Sequence, residues 1–93
     1  MYYVYILASR RYGTLYIGVT NSVQTRLEQH RNGKGSSFVK TYAVFRLVHV
    51  ESYQRAEEAI TREKQLKKWK LDWKIELIER ENPEWRDLDD LLV

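Results

Sequence analysis

The chain has no cysteine, one proline, four glycines and two histidines among its 93 residues. Without cysteine there is no disulfide staple, no thiolate nucleophile and no sulfur-built zinc site, and His30 and His49 are too few for an all-histidine cage. Any metal is therefore expected to be held mainly by oxygen. No apolar run approaches the roughly 20 residues of a membrane span, and Met1-Tyr2-Tyr3 opens without a basic region followed by a long apolar one. A cytoplasmic protein with no membrane contact is expected. Repeats and low-complexity tracts are missing too. What is present suits a folded chain: apolar residues at 43% and charged residues at 31% argue against disorder. Ninety-three residues suffice for one domain, residues 1–93, and leave too little core for two.

The net charge is only +3, but it is unevenly spread. Residues 1–70 hold thirteen basic and five acidic side chains, whereas residues 71–93 hold three basic and eight acidic. A basic body with an acidic tail fits a polyanion partner on one face, or else a solvated surface with a charge gradient.

Tyr2 to Ala8, rich in aromatic and β-branched residues, reads as a strand, and Ser9 to Thr14 as a turn. Leu15 to Val19 resumes the strand pattern, so an antiparallel hairpin brings Tyr3, Tyr5, Tyr16 and Gly18 close together. Asn21 or Ser22 caps a helix that carries Val23 and Leu27 and ends at Gly33. After a flexible Gly33–Ser37 loop come one or two helical turns over Phe38 to Tyr42 and a third strand over Phe45 to Val50. Ser52 then caps a long helix to about Lys70. Trp73, Ile75, Leu77 and Ile78 fit a short helix packing back on the body, and Pro83 interrupts before the acidic end. This order predicts an α+β domain with a small antiparallel sheet flanked by helices.

Several polar residues fall where the core pattern asks for apolar ones. On the long helix Ala56, Ala59, Ile60, Glu63 and Leu66 form one stripe, with a carboxylate in its middle. Such a group needs compensation, either an ion pair or water at the stripe edge, or a hard divalent cation whose shell is completed by waters and phosphate. Arg26 and His30 lie one turn apart on the first helix. They are either a surface pair near a helix end or a bidentate phosphate clamp beside a proton-transfer group. His49 has no partner at an obvious spacing and is assigned to structure. Tyr3, Tyr5 and Tyr16 share a sheet face by alternation. Strand tyrosines commonly serve packing, and a phenol of ordinary pKa about 10 is a poor base unless cations lie nearby. Gly18 removes a side chain on that face, which would let a phosphodiester approach. Arg62, Lys64, Lys67, Lys68 and Lys70, followed by Trp69 and Trp73, fit phosphate contacts with base stacking, though a helix C-terminus also favours lysine.

Tyr3-Val4-Tyr5, then Tyr16-Ile17-Gly18, then Arg26 with His30, then Glu63 within Arg62-Glu63-Lys64, together resemble the GIY-YIG nuclease domain across nearly the whole chain. The likeness is to the small stand-alone bacterial branch, often compared with the excinuclease C subunit. The first motif begins here with Tyr3 where the family has glycine. The resemblance implies a three-stranded antiparallel sheet with helices around it and hydrolysis of nucleic-acid phosphodiesters with one divalent metal, Mg²⁺ or Mn²⁺. It further implies that Tyr5 and Tyr16 line the site, Tyr16 activating water, while Arg26 stabilises phosphoryl oxygens, His30 assists proton transfer and Glu63 holds the metal. A late asparagine of the family has one candidate here, Asn82 before Pro83.

The expected function is a metal-dependent DNA endonuclease, monomer or homodimer, with Tyr3, Gly18, Lys64, Lys67 and Lys68 contacting the nucleic acid. With no second domain to read sequence, a preference for shape, single strands or branched DNA is expected, with strong salt dependence. Two rival readings are a nucleic-acid-binding module without catalysis and an adaptor domain using the acidic tail on a protein partner.

Overall fold

Val4 to Ala8 are all buried, so the first strand has no face to offer water and must lie between two layers. That is its place in the computed structural model, which describes residues 1–89. Strand β1 (Tyr2–Ala8) is the middle of a three-stranded sheet, with β2 (Leu15–Thr20) on one side and β3 (Arg46–Tyr53) on the other, both antiparallel to it. The helices α1 (Val23–Arg31), α2 (Ser37–Tyr42), α3 (Ala56–Lys68) and α4 (Leu71–Glu81) cover the two faces.

Strand alternation divides the core in two. Val4, Ile6 and Ala8 pack with Ile17, Val48, and Ala59 and Leu66 of α3, and with Leu77 and Ile78 of α4. Tyr5 and Leu7 point the other way and pack with Val23 and Leu27 of α1, Val39 of α2, Val44 and Leu47. The α+β architecture and the three-stranded antiparallel sheet therefore match the expectation from sequence. Ser22 caps α1 by accepting from the Thr25 N–H, and Gly33, at φ 73°, takes the left-handed turn after that helix.

Three expectations need correcting. Ser52 does not cap the long helix; it lies in β3, paired with Tyr3, because the ladder to β1 continues to Tyr53 opposite Tyr2. The helix starts at Ala56 instead, after Arg55, which makes no side-chain cap. Its buried stripe is also narrower than predicted. Ala59 and Leu66 are fully buried, but Ile60 is 43% exposed because it sits on the far flank of Glu63 from Leu66. The end of the chain, finally, is no free acidic tail as far as residue 89. Trp85 is fully buried in the α3–α4 core, and Arg31 on α1 holds Asp89 at 2.7 Å and Asp87 at 3.5 Å. The Asp87 carboxylate also accepts from the Leu47 N–H. The acidic segment that the adaptor reading would use is thus docked on the body as far as Asp89, with Asp87 still exposed; residues 90–93 lie outside the described residues.

Glu51 on β3 ties α3 to the sheet. It accepts two hydrogen bonds from Arg62, at 2.8 and 3.1 Å, one from Tyr53 at 2.7 Å, and pairs with His49 Nε2 at 2.8 Å. Burial raises its carboxyl pKa, yet the hydrogen bonds from His49, Arg62 and Tyr53 outweigh it and hold the group well below the ordinary carboxylate range. The same surroundings push the Tyr53 phenol up to about 12, through burial first and its bond to Glu51 second. His49 is thus structural, as expected, but with a partner two residues away. Arg62 also stacks over Trp69, 4.9 Å from the ring centre.

Removing Glu51 strands a guanidinium and an imidazole in a mostly buried place. Glu51→Ala is expected to lower stability by about 2–4 kcal/mol in urea unfolding. A loss below about 1 kcal/mol would mean that the network does not hold α3 in place.

Candidate active site

The register of the hairpin sets the site. Tyr5 pairs with Gly18 across β1 and β2, and Leu7 pairs with Tyr16, so the two phenols emerge on the face that α1 and α2 cover. Their ring centres lie 6.3 Å apart. A Cβ on Gly18 would collide with the Tyr5 hydroxyl. The room this glycine leaves is therefore filled by the protein's own phenol, and the expectation that a phosphodiester backbone enters there is corrected.

His30 arrives from α1, where the spacing of Val23, Leu27 and His30 turns all three inward. Its Nε2 is 3.2 Å from the Tyr5 hydroxyl, and its ring stands edge-on to Tyr16 at 5.5 Å. Gly35 closes over the other side, where a Cβ would strike His30 Nδ1. Among the described residues that nitrogen has no hydrogen-bond partner. An orphaned buried N–H is rarer than an orphaned lone pair, so the ring carries its proton on Nε2 and donates to the Tyr5 oxygen. Tyr5 is left to direct its own proton towards Tyr16. Burial, then the charge of Arg26, lowers the His30 pKa, which keeps the imidazole neutral at pH 7.

Tyr5 itself is 2% exposed. Burial, reinforced by Tyr16, pushes its phenol far above the ordinary value, while Arg26 lowers it and Glu63 raises it without reversing the outcome. Tyr5 is therefore a permanent hydrogen-bond donor at physiological pH and no source of phenolate. Arg26 makes no ion pair or side-chain hydrogen bond among the described residues. The residue as a whole is partly buried.

Glu63 is less enclosed than its stripe suggested. Its side chain is 20% exposed and pairs with Lys67, one turn on, at 3.7 Å. Lys67 in turn lines a shallow groove of about 280 Å³ with Leu15, Tyr16, Ile17, Phe38 and Lys74. The carboxylate is thus paired with a lysine of that groove without lining the groove itself. No group of three His, Cys, Asp or Glu side chains is assembled among the described residues.

Tyr5, Tyr16 and His30 are brought into contact, Arg26 lies one turn before His30 on α1, and Glu63 pairs with Lys67, which lines the groove beside Tyr16. Tyr3 is not at that groove; it lines a separate depression with Asn21, Ser22, Val23, Gln24 and Val50 at the start of α1. Lys64 and Lys68 are exposed on α3. Asn82 is 6% exposed, and its amide donates to the Val48 and Arg86 carbonyls. It holds the chain end to β3 and takes no part in the site. Trp69, expected to stack bases, is occupied by Arg62 and stands edge-on to Trp73. Sequence reasoning missed Phe38 and Lys74. The first belongs to an i, i+4 aromatic pair with Tyr42, which was a readable signal; the second needed the docking of α4, which no local pattern gives.

Two phenols and a neutral imidazole thus meet on the α1–α2 face of a small antiparallel sheet, with a guanidinium on α1 and a carboxylate on α3. The family described as GIY-YIG catalytic domain matches residues 1–76, and the chain belongs to the GIY-YIG nuclease family. Among curated relatives, the UPF0213 protein of Syntrophus aciditrophicus (strain SB) is 39% identical over 83 residues, covering 88% of this chain and 93% of the relative. That of Staphylococcus haemolyticus (strain JCSC1435) is 35% identical over 78 residues, covering 84% of this chain and 94% of the relative. The solution NMR structure of a UPF0213 protein from Bacillus halodurans is similar with a TM-score of 0.58 at 30% identity, covering 98% of this chain and 97% of that one.

Two outcomes test the geometry. Gly18→Ala is expected to displace the Tyr5 phenol and to cost about 1–3 kcal/mol of stability; an unchanged melting temperature would contradict the close approach. Because the folded pKa of His30 lies below its unfolded value of 6.5, the unfolded chain binds more protons in acid. The His30 contribution is intact above about pH 6.5 and shrinks as pH falls towards the folded pKa. Between pH 7 and pH 5 the wild type should lose more thermal stability than His30→Gln, and equal losses would overturn the assignment.

Proposed function

We propose that this chain is a divalent-metal-dependent endonuclease that hydrolyses phosphodiester bonds of DNA at the Tyr5, Tyr16, Arg26, His30 and Glu63 cluster. The observation that supports the reading is that Tyr5, Tyr16 and His30 meet on one face of the sheet, with His30 Nε2 3.2 Å from the Tyr5 hydroxyl and its ring edge-on to Tyr16 at 5.5 Å, in a chain whose residues 1–76 match the GIY-YIG catalytic domain.

The donor chemistry fits a hard cation. Glu63 offers carboxylate oxygen at a partly open edge, and a single protein carboxylate completed by water and phosphate oxygens suits Mg²⁺ or Mn²⁺. Bound at Glu63, such an ion would supply Lewis-acid stabilisation of the charge growing on the phosphodiester. Everything else falls to the side chains. Arg26 forks two phosphoryl oxygens and stabilises the extra negative charge of the transition state. Tyr16, the phenol that lines the groove, orients the attacking water. As the water oxygen bonds to phosphorus and the ester P–O bond breaks, the Tyr16 oxygen takes the water's proton and releases its own to solvent, and the departing ester oxygen takes a proton from solvent to leave as the alcohol. Tyr5 and His30 fix Tyr16 from beneath through the donor chain from Nε2. In this reading His30 is a positioning residue rather than the proton acceptor that the sequence suggested. Lys67, Lys64 and Lys68 add a basic flank along α3 for the backbone beyond the scissile phosphate.

Incubated with labelled DNA and Mg²⁺, the protein is expected to cut, and EDTA to stop it. Glu63→Gln and Arg26→Ala should each slow cleavage by about 10²–10³-fold while the melting temperature stays near that of the wild type. Binding without cleavage by the wild type on every DNA form tried would favour the non-catalytic module instead.

A further inference from the structure

Phe38 and Tyr42 stand one helical turn apart on α2, 40% and 53% exposed, while the anchor of that helix is the fully buried Val39. Their ring centres are 4.7 Å apart. Phe38 also reaches Tyr16 at 6.1 Å with the ring planes only 32° apart. Tyr16, Phe38 and Tyr42 thus form a row that leads from the site out over the surface. Lys67 and Lys74 flank it across the groove that Tyr16 and Phe38 line.

Packing alone does not account for this row. Val39 already fastens α2, and two large rings left facing water are unfavourable in proportion to their apolar area. An occupant has to present flat apolar faces and negative charge together. Unpaired nucleotides do so, because every base has a π-face that stacks on an aromatic ring whatever its identity, while the phosphates meet the lysines. Bases in a duplex keep their faces inside the stack and cannot use such a row without being unstacked.

We propose that Phe38 and Tyr42 form a stacking platform for the unpaired bases of a single-stranded polynucleotide, placed so that the adjoining phosphate lies at Tyr16 and Arg26. The inference rests on the nuclease reading above and names its substrate class. Single strands, or the unpaired arm of a branched molecule, are then preferred over continuous duplex because the rings reward only exposed bases.

The test compares labelled strands of about twelve nucleotides, as single-stranded DNA, single-stranded RNA and duplex DNA of one sequence, by fluorescence anisotropy at fixed salt. Phe38→Leu and Tyr42→Leu keep apolar bulk while removing the ring, and thermal melts confirm that each variant folds. Each is expected to weaken single-strand binding by about tenfold and duplex binding by less than about twofold. A 2-aminopurine placed within the strand should be quenched by the wild type and not by the double variant. A ring-dependent loss on DNA or RNA single strands supports the platform, and the polymer with the larger loss is the one it serves. Losses equal on single strands and duplex, or absent on both single strands, overturn it. The underlying reading fails separately: if the wild type binds no polynucleotide at all, the nuclease assignment falls, whereas metal-dependent cutting that is indifferent to both rings removes the platform alone.

Discussion

The Tyr5 phenol occupies the space above Gly18, and the rest of the site follows from that contact. A residue with any Cβ at position 18 would force the phenol away. With glycine there, Tyr5 lies flush with the sheet, where His30 meets its oxygen from one side and Tyr16 adjoins it on the other. Burial makes Tyr5 a donor and never a base, which settles the division of labour between the two phenols. One organises, and the other, at the groove, faces the solvent and any substrate. Gly35 plays the matching part for His30, since a side chain there would press on Nδ1.

Helix α3 joins the two halves of the molecule by pointing neighbouring residues in different directions. Arg62 turns to β3 and locks into Glu51, Tyr53 and Trp69. Glu63, about 100° further round, turns away from that network and pairs with Lys67. The Glu51 network therefore fixes the rotation of the helix that carries Glu63. A half-buried ion network is a costly way to attach a helix, and its merit is directional: an apolar contact would allow the helix to roll, whereas a two-pronged guanidinium–carboxylate pair does not.

Charge is sorted by the fold as well as along the chain. Asp87 and Asp89 return from the acidic end and engage Arg31, at the outer end of α1, and Trp85 pins that return into the core. Arg26, little more than one turn earlier on the same helix, is left without an acid among the described residues. The same segment forms a hollow of about 320 Å³ lined by Glu81, Glu84 and Asp87 together with Arg86. At the β2 edge, by contrast, Lys67 and Lys74 stand beside Tyr16 and the exposed Phe38. Trp69, close to the lysine cluster in sequence, is committed to Arg62 and stands edge-on to Trp73, which is itself 52% exposed.

The sequence by itself determined the three strands and the α+β class, because alternation and residue type are local properties that survive without coordinates, whereas the five candidate site residues were named from the resemblance of their motifs. It also placed the break before Pro83. It could not determine where the long helix begins, since Ser52 makes a good cap and loses only because β3 gains ladder pairs with Tyr2 and Tyr3. Nor could it tell that Glu51, more than ten residues from Arg62, would become its partner, or that Trp85 would be buried. Tertiary structure alone decided what each site residue can do. Burial made Tyr5 a fixed donor and His30 a neutral one, both with their partners supplied by other elements. The docking of α2 and α4 against β2 set Phe38 and Lys74 beside Tyr16, a neighbourhood produced by packing between segments and therefore absent from any local pattern.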